Sequence, residues 1–174
     1  MKITKLFIAL AVVSLLGSNV AKAQRGGINW TKDGSSYYQN MGGEIVTITL
    51  PRNERKTIIS NQLLTPTNAS SPLRVRSFQL TDDGAKALIY TNTKRVWRQD
   101  SRGDYWVADI TNNTLKQIGK GKPASSLMFA KFSPDGSKVA YVSEHNVYVE
   151  DLASGAIKAL TTDGTTRMIN GTFD

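Results

Sequence analysis

Three of the chain's Asp-Gly pairs, Asp33-Gly34, Asp83-Gly84 and Asp135-Gly136, stand 50 and 52 residues apart. Asp-Gly is a tight-turn dipeptide, because both residues tolerate positive φ, and it joins neighbouring antiparallel strands. Each pair lies between β-rich runs: Ser77 to Leu80 and Ala87 to Thr91 flank the second, Met128 to Phe132 and Val139 to Val142 the third. Helical spacing of apolar residues is absent beyond the first twenty-three residues.

The units match in further detail. Thr49 follows Asp33 by 16 residues, and Asp151 follows Asp135 by 16. Each is preceded by a strand-like run, Glu44 to Ile48 or Asn146 to Val149, and is followed seven residues on by Lys56 or Lys158. The middle unit has Asp109 and, seven residues on, Lys116. Four short antiparallel strands recurring every 40 to 50 residues are the signature of propeller blades. A single blade cannot cover both of its faces, so neighbours must stack around an axis. The sequence therefore predicts an all-β chain, a partial β-propeller of about three four-stranded antiparallel blades near 28–60, 74–119 and 127–162, with a next element starting at 163–174. The aromatic residues Trp30, Tyr38, Phe78, Tyr90, Trp106, Phe129, Phe132, Tyr141 and Tyr148 are expected to fill the spaces between blades. Three blades cannot close a ring, so 24–174 reads as an incomplete propeller domain.

The middle unit departs from its neighbours in one place. Asp83 to Asp109 spans 26 residues, ten more than the equivalent interval in the third unit. The surplus falls around Thr91 to Gly103, a polar stretch with four cations, Lys94, Arg95, Arg98 and Arg102, and one tryptophan, Trp97. A long excursion from a rigid scaffold is where binding function concentrates, although position alone also fits a charged surface hairpin.

Residues 1–23 read as an export signal. Lys2 and Lys5 precede an apolar run from Leu6 to Leu16, and Ala21-Lys22-Ala23 supplies a small-x-small cleavage pattern. The run is shorter than the roughly twenty residues a bilayer span requires. Cleavage after Ala23 would send the mature chain to the periplasm or the exterior, with no membrane span. The chain has no cysteine, so no disulfide framework is available. Losing Lys2, Lys5 and Lys22 lowers the formal net charge from +8 to +5, and the remaining cations do not cluster, which argues against a nucleic-acid partner.

Catalytic patterns are missing. No Gly-x-Ser-x-Gly elbow occurs, and His145, the single histidine, sits in a short turn without a partner acid or nucleophile. No cluster of metal-ligating residues stands out, and Gly119-Lys120-Gly121-Lys122-Pro123 lacks phosphate-loop spacing. Neither a cofactor nor a metal is therefore expected, and no catalytic residue is assigned within the chain.

Several segments nevertheless resemble one family. Val96-Trp97-Arg98 in the inserted hairpin, then Tyr105 to Ile110, begin the resemblance, and Phe132-Ser133-Pro134-Asp135-Gly136-Ser137-Lys138-Val139-Ala140-Tyr141-Val142 continues it. Asn146 to Val149, Thr161 to Gly164 and Ile169-Asn170-Gly171-Thr172-Phe173-Asp174 complete it. The chain resembles the N-terminal part of the dipeptidyl peptidase IV family, in the prolyl oligopeptidase group of serine peptidases. The resemblance implies an eight-bladed propeller joined to an α/β-hydrolase domain, releasing dipeptides with proline or alanine second. Its substrates would be peptides with a free N-terminus, and a homodimer of the full-length enzyme is left open. Arg98 matches the family arginine that reaches from the propeller to the substrate backbone carbonyl, with Trp97 supporting it. The family's Glu pair for the substrate ammonium and its catalytic Ser, Asp and His have no counterparts among these residues, so the chain alone is expected to be inactive. The alternative is a non-enzymatic periplasmic propeller that binds protein or envelope partners.

Overall fold

The computed structural model describes residues 28–96 and 99–172, with Gln99 and Asp100 described for their backbone alone. The expected export signal, 1–23, lies outside the described residues. Twelve strands form three four-stranded antiparallel sheets, and the described residues contain no helix. The first sheet holds β1 (Asn29–Trp30), β2 (Ser36–Met41), β3 (Glu44–Thr49) and β4 (Glu54–Ile59). The second holds β5 (Ser77–Leu80), β6 (Lys86–Val96), β7 (Gln99–Asp109) and β8 (Thr114–Gln117). The third holds β9 (Met128–Phe132), β10 (Lys138–Ser143), β11 (Asn146–Asp151) and β12 (Ile157–Ala159). Each sheet is a plain meander in chain order, the arrangement of a propeller blade.

The repeat is reproduced residue by residue. Thr47 pairs with Lys56, Val107 with Lys116 and Val149 with Lys158, so the three lysines occupy one register position. The Asp-Gly pairs sit in five-residue turns between the first two strands of each blade. In the first turn Asp33 Oδ1 accepts from Thr31 Oγ1 at 2.6 Å and from the Ser35 N–H at 3.2 Å, while Gly34 takes φ 68°. Thr81, Asp83 and Gly84 repeat these contacts, as do Ser133, Asp135 and Gly136. Hydroxyl and amide donors on both sides favour the ionised carboxylate. Asp33 is thereby lowered to about 2, with Asp83 and Asp135 also held below the usual carboxylate range.

The period-2 alternation of the middle blade serves two interfaces at once. Ala87, Ile89 and Ala108 face the first blade and pack with Ile45, Ile59, Leu63 and Leu64. Leu88, Tyr90, Tyr105 and Val107 face the third blade and pack with Leu127, Ala130, Val139 and Tyr141. A strand buried on both faces reads as a continuous apolar run, which is what Ala87 to Tyr90 is.

Polar ties accompany the apolar ones. Glu150 of the third blade is buried, accepts the Gly119 N–H of the second at 2.8 Å and lies 3.6 Å from Lys116 Nζ. Beside it, burial first and the Glu150 charge second push the Tyr141 phenol up to about 12. Between the first two blades Lys32 bridges Asp82 at 2.8 Å, both fully at the surface, where such a pair contributes little.

Two of the aromatics expected between blades are not there. Trp30 is half exposed, because β1 is a two-residue edge strand, and its ring meets Tyr37 edge-on at 5.6 Å. Phe129 is also half exposed: its φ is 54° and the β9–β10 register shifts opposite it, which takes its side chain out of the interface. Tyr90 and Tyr141 are buried as expected, and Phe78, Trp106, Phe132 and Tyr148 pack against the two cores.

Candidate functional site

The candidate site is the arm formed by the outer halves of β6 and β7. The opening pair Lys86–Asp109 is 23 residues apart, against 13 for Ser36–Thr49 and Lys138–Asp151. The surplus forms a longer hairpin rather than a loop. Lys94 pairs with Arg102, Arg95 with Asp100 and Val96 with Gln99. Trp97 and Arg98, the residues that the sequence singles out, fall between Val96 and Gln99 and lie outside the described residues.

The arm leaves the blade at a break in the ladder. Pairing is regular from Lys86–Asp109 to Thr91–Asp104, then the register shifts between Thr91 and Lys94 and again between Lys94 and Arg95. Asn92 sits at the break with φ 45°, a left-handed conformation that asparagine tolerates better than most residues. Gly103 lies across from it. A Cβ there would come within 2.4 Å of the Tyr90 ring and 2.7 Å of the Thr91 carbonyl oxygen, so only glycine fits.

Further contacts brace this junction. The Gly103 N–H donates to the Leu127 carbonyl at 3.0 Å and the Leu127 N–H returns the bond at 3.1 Å, tying the arm to the entry of the third blade. The Tyr90 hydroxyl donates to the Arg102 carbonyl at 3.0 Å, and its ring stacks on Tyr105 at 4.7 Å. Thr91 Oγ1 donates to the Arg74 carbonyl at 2.8 Å, a tie to the segment entering β5. Asp104 accepts from Asn92 Nδ2 at 2.7 Å and from the Ser125 N–H at 2.6 Å. In the sequence Asn92 and Gly103 are only members of the polar surplus, and nothing marks Asp104 or Ser125. A strand run interrupted by Asn92, and a Gly-Asp step opposite it, were the available signals of a break.

The same rim of the blades carries the short β10–β11 turn. Glu144 and His145 form it with φ 49° and 64°, the mirror-image turn of a two-residue hairpin. Lys122 reaches Glu144 at 3.2 Å and lies 3.9 Å from the centre of the Tyr148 ring. The segment after Leu160 folds back onto this turn. Asn146 Oδ1 accepts from Thr161 Oγ1 and from the Gly164 N–H, both at 3.0 Å, and the Asn170 N–H donates to the His145 carbonyl at 3.1 Å. His145 thus contributes its backbone to the packing. No group of three or more metal-ligating side chains occurs among the described residues. Nor is any described helix long and apolar enough to cross a membrane.

A three-blade meander with one extended hairpin now has counterparts. A dipeptidyl peptidase 4 from Porphyromonas gingivalis superposes with a TM-score of 0.68 at 22% identity, covering 80% of this chain and 20% of that one. Dipeptidyl aminopeptidase B of Saccharomyces cerevisiae is 30% identical over 122 residues, 70% of this chain and 13% of the relative. A probable dipeptidyl-aminopeptidase B of Arthroderma gypseum is 33% identical over 87 residues, 50% of this chain and 10% of the relative. The chain therefore spans about a tenth of the length of these relatives. The family described as dipeptidyl peptidase IV (DPP IV) N-terminal region matches residues 81–174. That match takes in the whole arm and the third blade, more than half of the sequence, and the chain belongs to this family.

Proposed function

We propose that this chain is the substrate-reaching propeller portion of an exported dipeptidyl peptidase, and that Arg98 at the end of the β6–β7 arm binds the peptide substrate. The observation that carries the reading is the arm itself. Among the described hairpins that join the two inner strands of a blade, it alone exceeds its equivalents, by ten residues; it is braced at its base, and it lies within the family match. Arginine suits the assigned task, since its guanidinium is always charged and presents several donors in a fixed plane. A donor held at a set distance from the catalytic domain also measures chain length, which makes release of dipeptides from a free N-terminus a natural outcome. Trp97 supports the arm's end, and the chemistry of hydrolysis belongs to an α/β-hydrolase domain of the same enzyme. Export follows from the apolar run and the Ala21-Lys22-Ala23 pattern.

The complete enzyme that carries this chain tests the reading. It is expected to release p-nitroaniline from Gly-Pro-p-nitroanilide and to leave N-acetylated Gly-Pro-p-nitroanilide uncut. No hydrolysis of the free substrate, or equal hydrolysis of the acetylated one, contradicts the dipeptidyl peptidase reading.

A further inference from the structure

A two-stranded ribbon is marginally stable on its own, and its direction is not fixed by its own hydrogen bonds. The arm is such a ribbon beyond Thr91–Asp104, where the β6–β7 register shifts twice within a few residues. Without an added constraint the strands would pivot at that break.

Besides the Gly103–Leu127 pair and the Tyr90–Arg102 bond, the junction carries a closed ring of three hydrogen bonds. Asn92 Nδ2 donates to Asp104 Oδ2 at 2.7 Å, the Ser125 N–H donates to Asp104 Oδ1 at 2.6 Å, and Ser125 Oγ donates to the Asn92 carbonyl at 2.7 Å. The ring joins three pieces of chain: the outgoing strand, the returning strand and the connection leading to the third blade. Two of its members hold positive φ, Asn92 at 45° and Ser125 at 55°. Left-handed backbone at a non-glycine residue persists where the surroundings over-determine it. Glycine would meet the conformational demand at Asn92 without strain, but it would supply no amide for Asp104.

We infer that the Asn92–Asp104–Ser125 ring is a positioning device that sets the direction of the arm and through it the reach of Arg98. The inference rests on the Arg98 role proposed above. Asn92, Asp104 and Ser125 are positioning residues, acting on substrate only through the arm.

The test is a mutant cycle in the complete enzyme, reading kcat/KM on Gly-Pro-p-nitroanilide per folded molecule beside the thermal midpoint. Asn92→Asp keeps a residue tolerant of positive φ but sets two carboxylates against each other. A displaced substrate contact of about 1 Å costs up to roughly 100-fold, so kcat/KM is expected to fall about 10- to 100-fold. Adding Asp104→Asn reverses donor and acceptor, restores the bond and is expected to recover most of the loss. Combined with Arg98→Ala, Asn92→Asp is expected to add nothing, since the contact it positions is already gone. If Asn92→Asp does not fold, Ser125→Ala removes one bond of the ring and carries the same expectation with a smaller loss. The positioning role is overturned if these variants lower the thermal midpoint while kcat/KM is unchanged. It is likewise overturned if they lower kcat/KM equally with and without Arg98. An Arg98→Ala enzyme of full activity would instead remove the reading beneath the inference.

Discussion

Gly103 is the most constrained described residue at the candidate site. Its missing side chain lets the Tyr90 ring and the Thr91 carbonyl close over the returning strand, at 2.4 and 2.7 Å from where a Cβ would stand. Gly103→Ala is expected to destabilise the protein by about 1 to 3 kcal/mol through overpacking, read as a lower midpoint in denaturant. The sequence marks Gly103 only as the end of a ten-residue surplus. The reason for a glycine there is the Tyr90 ring, thirteen residues earlier in the chain, and only packing reveals it. Arg98 shows the opposite case. Its candidacy came from its place in a polar excursion and from a family resemblance, since a lone arginine in a charged hairpin carries no spacing or periodicity of its own.

Among the elements, the Asp-Gly turn was the most legible. Spacing located all three copies, and the dipeptide announced the positive φ that Gly34, Gly84 and Gly136 adopt. The hydroxyl two residues ahead, Thr31, Thr81 or Ser133, was less visible, although it closes each turn by donating to the aspartate. These donors lower the folded-state pKa of Asp33, Asp83 and Asp135 below the ordinary value near 4. A carboxylate lowered in the folded state stabilises it above the unfolded pKa, and that contribution is lost as pH falls through the folded value. Stability is therefore expected to decline from about pH 4 toward pH 2, and Asp33→Asn is expected to flatten part of that slope. Urea midpoints collected across this range, in the full-length protein and the variant, decide the matter; parallel curves would count against the turns. Phe129 marks the limit of legibility at this scale. Its aromatic side chain points to an interface, but a positive φ and a register shift, neither written in local composition, put it at the surface.

In the whole molecule, the blades are joined by two apolar cores and by Glu150. The two-faced burial of β6 was readable from its unbroken apolar run, whereas the pairing of Glu150 with Gly119 and Lys116 joins residues 31 and 34 positions apart that no motif links. Glu150→Ala leaves the buried Gly119 N–H without its acceptor and is expected to cost about 1 to 3 kcal/mol, whereas Glu150→Gln, which retains an acceptor, is expected to cost less. Equal losses for the two, measured by calorimetry, would show that accepting the Gly119 N–H is not what Glu150 contributes. The outer side of the third blade and the segment after it expose Ile157, Leu160, Met168 and Ile169, apolar surface of the kind that further blades cover. Residues 24–174 produced alone are accordingly expected to self-associate in light scattering, and a soluble monomer with a cooperative melt would contradict that expectation.

The proposed contact between Arg98 and the peptide substrate is tested most directly by Arg98→Ala in the complete enzyme. Loss of a charged hydrogen bond removes about 1.5 to 3 kcal/mol of transition-state binding, so kcat/KM on Gly-Pro-p-nitroanilide is expected to fall roughly 10- to 150-fold. A variant that folds normally and hydrolyses the substrate as fast as the parent would contradict the central claim.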